Sequence, residues 1–224
     1  MKQVRYIRLI AGLVAGLALW PRRAAAGQGA DSEPAAPDHE LDQQPEPELE
    51  PEPEQLDQPA RNELAFLAMI RTAEGTADAD GYRALFGHTK RRPRLFESFE
   101  DHPRQAAQFT DKAGRRLWTS AAGAYQFMAA SQIPGGGWTK VDTWTETKRR
   151  IGLPDFSPES QDAAALELIR QAGALGDVRA GRFQAAVHKV RGRWASLPGA
   201  GYDQHEQSLN TITAAYRAAG GKFA

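Results

Sequence analysis

The residue best suited to chemistry is Glu74, in the stretch Phe66-Leu67-Ala68-Met69-Ile70-Arg71-Thr72-Ala73-Glu74-Gly75-Thr76. Read as a helix, this stretch puts Phe66, Leu67, Ile70 and Ala73 along one apolar stripe, and Glu74 follows Ile70 by four residues and Leu67 by seven. Its carboxylate is therefore expected to leave the helix on the buried side. Gly75 is the residue expected just past a helix end, which puts Glu74 at the C-terminal, negative pole of the helix dipole. Burial and a nearby negative pole both disfavour the ionised carboxylate, so both raise its pKa. An acid kept protonated near neutral pH is a proton donor, and a glycosidic oxygen is a poor leaving group until it is protonated. The same local pattern also fits a solvated Glu near a helix end.

Other side chains offer less. Asp78, Asp80 and Asp155 could supply a second carboxylate, although Asp155 is better placed to help cap a helix begun at Ser157. Asp101 and His102 could flank a cleft or anchor a sheet, and because His102-Pro103 reads as a turn, anchoring is the expectation. His39, His88, His102, His188 and His205 are scattered and no His-Glu-x-x-His occurs, so no metal is expected and no cofactor is implied. The Gly135-Gly136-Gly137 run lacks the Gly-Lys-Ser/Thr ending of a phosphate-binding loop. There are no cysteines, which excludes thiol catalysis, disulfides and Cys-ligated metals.

The elements that must position these groups read as mainly helical. Between Thr76 and Phe109, Gly81, Gly87, Pro93 and Pro103 punctuate two short alternating runs, Tyr82 to Phe86 and Arg94 to Phe99, which predict a small antiparallel sheet with long loops. Helices are expected over Ala124 to Ser131, Lys140 to Ile151, Gly181 to Trp194 and Gln204 to Ala219. Ser157-Pro158, an N-cap followed by Pro at the first helical position, opens another that buries Ala164, Ala165, Leu168 and Ile169 and stops at Gly173. The segment Ala195 to Tyr202 is too rich in Pro and Gly for a helix. The expected class is α+β, mainly α with a small antiparallel sheet and a cleft where sheet and helices meet.

Length and charge divide the 224 residues into three parts. Residues 1–26 read as a signal peptide or signal anchor, with Lys2, Arg5 and Arg8 before a twelve-residue apolar run, Leu9 to Trp20, and Ala24-Ala25-Ala26 as a cleavage site. The run is short for a membrane span, so export is the expectation, with an uncleaved anchor and transient membrane association as the variant. Residues 27–59 hold eleven acids and no Lys or Arg, a composition that predicts a disordered Pro/Glu-rich linker. Setting aside those acids and the leader's five basic residues leaves 23 basic and 17 acidic residues in the domain of residues 60–224, a net of +6 behind a formal total of zero. A basic domain suits an anionic partner, nucleic acid or a cell-wall polymer. Export favours the wall over nucleic acid, including for the basic run Lys90 to Arg94.

From about Asn62 to Gly221 the chain resembles the lambda-type phage endolysins, through segments in the same order. They are Ala65-Phe66-Leu67 with Glu74-Gly75-Thr76, Gly81-Tyr82, Asp101-His102-Pro103-Arg104, Gly123-Ala124-Tyr125-Gln126 and Gly152 to Pro158 with Ser160-Gln161-Asp162. Gly173-Ala174-Leu175 and Trp194 to Tyr202 complete the series. Phe86 to Phe96 and Ile133 to Trp138 depart from the pattern. The resemblance implies a lysozyme-like fold and a peptidoglycan lytic transglycosylase acting on glycan strands, with Glu74 as acid and then base. A hydrolytic muramidase and a non-catalytic wall-binding module are the alternatives. It further implies that Thr76, Tyr125, Gln126, Ser196, Gly199 and Tyr202 line the substrate site, Gln126 holding an N-acetyl group and Tyr125 offering a ring to a sugar. For Tyr125 a core position is the competing reading, and for Ser196 to Tyr202 a packed interhelical turn. A monomer is expected.

Overall fold

The computed structural model describes residues 56–201 and 205–224. The leader, most of the acidic segment and Tyr202 lie outside the described residues. Helix α1 (Gln58–Glu74) starts where Asp57 accepts a hydrogen bond from the Ala60 amide at 2.9 Å and Pro59 occupies the first turn. The last residues of the acidic, Pro-rich segment thus open the folded domain. The helix ends at Gly75, whose φ of 74° is left-handed, and the Thr76 amide closes back onto the Arg71 carbonyl at 2.9 Å. Its buried face carries Phe66, Met69, Ile70 and Ala73.

Around α1 stand α2 (Thr143–Ile151), α3 (Pro158–Gln171), α4 (Leu175–Arg179), α5 (Phe183–Val190) and α6 (Leu209–Ala218), with α1 packed on α6, α4 and α3. Phe66 meets Phe183 and Tyr216 edge-on at 6.1 and 6.4 Å, and a second aromatic cluster joins Trp144, Phe156 and Phe127. Each such ring contributes roughly 1.5–3 kcal/mol by burial. Helix α3 starts as expected, with the Ser160 amide on Ser157 Oγ and the Ser157 amide and Ser160 hydroxyl both on Asp155. Helices α5 and α6 are shorter than their sequence patterns, and α4 was not anticipated.

The sheet is a two-stranded antiparallel hairpin, β1 (Ala107–Thr110) and β2 (Arg116–Thr119), in register from Ala107 opposite Thr119 to Thr110 opposite Arg116. It lies outside the two runs read as strands. Tyr82 sits in a 3-10 turn, and those runs meet only at an isolated bridge between Ala84 and Leu95. The Asp111 side chain organises the hairpin turn by accepting from the Ala113 and Arg115 amides.

The helix expected over Ala124 to Ser131 does not form. Gly123 and Gln126 have positive φ, 76° and 48°, in a tight turn closed by reciprocal hydrogen bonds between Ala122 and Phe127 at 2.9 Å. The chain then runs extended, burying Phe127, Ala129 and Ser131 alternately. Tertiary contacts override the helical preference of this Ala-rich segment. The Gln161 amide reaches out of α3 to accept from the Ala124 amide and donate to the Phe156 and Tyr82 carbonyls. A Cβ on Gly123 would stand 2.3 Å from Gln161 Oε1, so glycine is required here. The fold is therefore mainly α with a small antiparallel sheet.

Candidate active site

The C-terminal end of α1, the Gly123–Gln126 turn, the hairpin and the loop after α5 enclose a cleft of about 380 Å³. Glu74 lines it, as do Gln126, Met128, Val141 and Ala195. Among the described lining residues Glu74 is the only carboxylate.

Three contacts hold the end of α1 against the opposite walls. Thr76 Oγ1 donates to the Ala124 carbonyl at 2.6 Å, joining the residue two beyond Glu74 to the tight turn. The Trp194 indole N–H donates to the Tyr125 carbonyl at 3.2 Å, joining the same turn to the loop after α5. Ser196 Oγ, on that loop, donates to Glu74 Oε1 at 2.5 Å. Ser196 is itself fixed, since its carbonyl accepts from the Gln207 amide at 2.8 Å and the neighbouring Leu197 is fully buried.

Burial pushes the Glu74 carboxyl up from an ordinary 4.5 to about 7, while the Ser196 hydrogen bond pulls the other way by favouring the ionised form. The balance leaves a group that can both give and take a proton near neutral pH. Asp80 is exposed and does not line the cleft, and the other candidate acids are engaged elsewhere. Asp78 pairs with His88 at 3.4 Å, Asp155 caps α3, and Asp101 accepts from the Trp144 indole and Lys148 at 3.0 Å. His102 is buried, with Nε2 at 2.9 Å from the Phe127 carbonyl, and burial drops its pKa to about 4. Asp101 and His102 are therefore anchors for the chain around the cleft.

The residues expected to line the site separate into two groups. Gln126 and Ser196 stand with Glu74, Gln126 half-buried and tethered by its own side-chain amide to the Gly123 carbonyl at 3.0 Å. Thr76 and Tyr125 are 3% and 1% exposed, and Tyr125 donates its hydroxyl to Asp162 at 2.6 Å. A ring so enclosed offers no face to a sugar, so Tyr125 takes the core position. Gly199 shapes the loop, with φ 74° and its amide on Glu206 at 2.7 Å. Among the lining residues that sequence reasoning missed are Phe86 and Phe109, whose rings lie 5.6 Å apart. Among the described residues no group of His, Cys, Asp or Glu could hold a metal ion.

Comparison with known proteins places the chain in a family. A family model described as Endolysin matches residues 64–223. The endolysin of Escherichia phage P2 is 37% identical over 169 residues, covering 72% of this chain and 94% of that protein. The endolysin of Escherichia phage lambda is 35% identical over 163 residues, covering 70% and 90%. Among solved structures, bacteriophage lambda lysozyme complexed with a chitohexasaccharide superposes with a TM-score of 0.61 at 31% identity, over 76% of this chain and 99% of that one. A second structure, lysozyme from bacteriophage lambda, gives a TM-score of 0.57 over the same shares. The fold is lysozyme-like, and the chain belongs to the Endolysin family.

Proposed function

We propose that this protein is an exported lytic transglycosylase that cuts the β-1,4 bond between N-acetylmuramic acid and N-acetylglucosamine in peptidoglycan. The observation that carries this reading is the solitary acid. Glu74 is the only carboxylate among the described cleft-lining residues, and burial holds it near neutrality. A hydrolase of the usual kind needs a second carboxylate across the bond, to act as nucleophile or to activate water. A transglycosylase can act with one. Protonated Glu74 gives its proton to the glycosidic oxygen as the C1–O bond breaks. Now ionised and steadied by the Ser196 hydroxyl, it takes the proton from the muramic 6-hydroxyl, whose oxygen attacks C1 of the same sugar. A 1,6-anhydro end and a free 4-hydroxyl result, and Glu74 is protonated again. The nucleophile is already attached, so its orientation is largely prepaid.

The ligand class is supported by the solved relative that holds a chitohexasaccharide and by the basic domain, which suits an anionic wall polymer. Export rests on the leader sequence. Among the described residues no helix is long and apolar enough to cross a membrane. Mass spectrometry of wall digests is the test. Products lighter than reducing ends by one water support the proposal, and reducing ends alone would make the protein a hydrolytic muramidase, the reading that the lysozyme name of the solved relatives favours. Binding to walls without release of fragments would make it a wall-binding module.

A further inference from the structure

Among the described residues five aromatic ones line the cleft, and they differ in what they show to it. Tyr125, Phe127 and Trp194 are 1%, 3% and 3% exposed and belong to the buried core. Phe86 and Phe109 are half-buried and belong to neither the core nor the residues packed on it. Their rings nevertheless lie 5.6 Å apart at 50°. Backbone contacts fix both. The Phe86 amide donates to the Ala121 carbonyl at 3.0 Å, on the strand-like stretch that enters the Gly123–Gln126 turn. Phe109 sits in β1 opposite Leu117. The pair therefore forms an apolar wall, while Glu74 and Gln126 come from the end of α1 and the tight turn, and Thr119, Thr143 and Arg193 add further polar groups to the lining.

Two rings held on rigid backbone with open surface in a cleft suit a flat ligand with one apolar face. A pyranose has such a face, made of axial C–H groups, and a polar edge of hydroxyl and N-acetyl groups. Stacking the C–H face on a ring removes apolar surface from water and gains dispersion contacts, while the edge stays free for hydrogen bonds. We propose that Phe86 and Phe109 form an aromatic platform on which an N-acetylhexosamine of the glycan strand stacks. This platform would orient the strand so that the bond to be cut meets Glu74. The inference rests on the glycan-cleaving reading above, to which it adds a binding element.

The competing role for the pair is a brace that fastens the hairpin to the 84–88 segment. Titration calorimetry with chitohexaose separates the two, because it needs no turnover. Phe86→Leu and Phe109→Leu keep apolar bulk and lose the ring face, and Phe109→Tyr keeps the face. A platform predicts that each Leu variant binds about 5- to 30-fold more weakly while Phe109→Tyr stays within about twofold of the wild type. Thermal midpoints measured alongside show whether a variant is folded at the binding temperature. Leu variants that bind as tightly as the wild type would overturn the platform. So would weakening in the Leu variants that follows a lowered thermal midpoint, which is what a brace predicts, or wild-type protein that does not bind chitohexaose. Failure of the wild type to cut walls would instead sink the assigned reaction and leave the binding comparison standing.

Discussion

Two carboxylates on neighbouring helices, the half-buried Glu74 and the buried Asp162, carry pKa values that desolvation raises, and they are built for different ends. Asp162 lies under the tight turn with its Oδ1 accepting from the Tyr82 hydroxyl at 2.8 Å and the Tyr125 hydroxyl at 2.6 Å. Arg71 reinforces it, donating to the Tyr82 hydroxyl at 3.2 Å and stacking over that ring. Glu74 has one donor, Ser196, and faces the cleft. Hydrogen bonds from several fixed donors lock a carboxylate in place and hold its charge. A carboxyl that faces the cleft has an oxygen that can exchange a proton with a ligand. The difference teaches that a raised pKa marks a site only where the group also has an open side.

The largest predicted effect separates the two acids by activity. Glu74→Gln should lower wall cleavage by about 10²–10⁴-fold with the fold intact, since the amide cannot donate an acidic proton. Parental rates in that variant would remove Glu74 from the chemistry. Asp162→Ala should do the reverse, leaving two buried hydroxyls without an acceptor and costing about 2–5 kcal/mol in chemical denaturation. The cleavage that it retains should track the folded fraction. A stable but inactive Asp162→Ala protein would break the division between structural and chemical acid.

A third expectation concerns pH. Because the folded-state pKa of Glu74, about 7, lies above its ordinary 4.5, its proton contributes stability in full below about pH 4.5. That contribution is lost as the pH rises through 7. Glu74→Gln cannot ionise and escapes the loss. Its margin over the wild type in urea melts should therefore grow across that window by about 1–3 kcal/mol. A margin independent of pH would contradict the burial of Glu74. The smallest effect is expected of Ser196→Ala. Its hydroxyl favours the ionised form, so removing it should move the alkaline limb of kcat/KM upward in pH. A downward move would reverse the assigned sense of the hydrogen bond.

How much of this was legible in the chain follows the range of the interactions involved. Glu74, its apolar stripe and Gly75 are read within one helix, and so are Ser157, Pro158 and Asp155 at the start of α3, because caps and helical period act over a few residues. The hairpin at Ala107–Thr119 carries a local signal, the Asp111 to Gly114 turn, weaker than the Gly and Pro punctuation of the runs before it. The Gly123–Gln126 turn was harder. Its Ala-rich continuation prefers helix, and residues distant in the chain, Thr76, Gln161 and Trp194, hold it otherwise. Tyr125, read as a ring for a sugar, is enclosed, while Phe109, to which no role was assigned, lines the cleft half-buried. Which aromatic ring meets the cleft depends on Asp162 and on the hairpin register, neither of which is local.

The central claim is that one cleft carboxyl waits protonated near neutral pH while its buried counterpart serves the fold. Carbon-13 NMR of the side-chain carboxyl groups, with Glu74 assigned through the Glu74→Gln variant, measures this directly. The structure predicts a titration midpoint for Glu74 of about 7 in the free protein. A midpoint at or below its ordinary 4.5 would contradict the account.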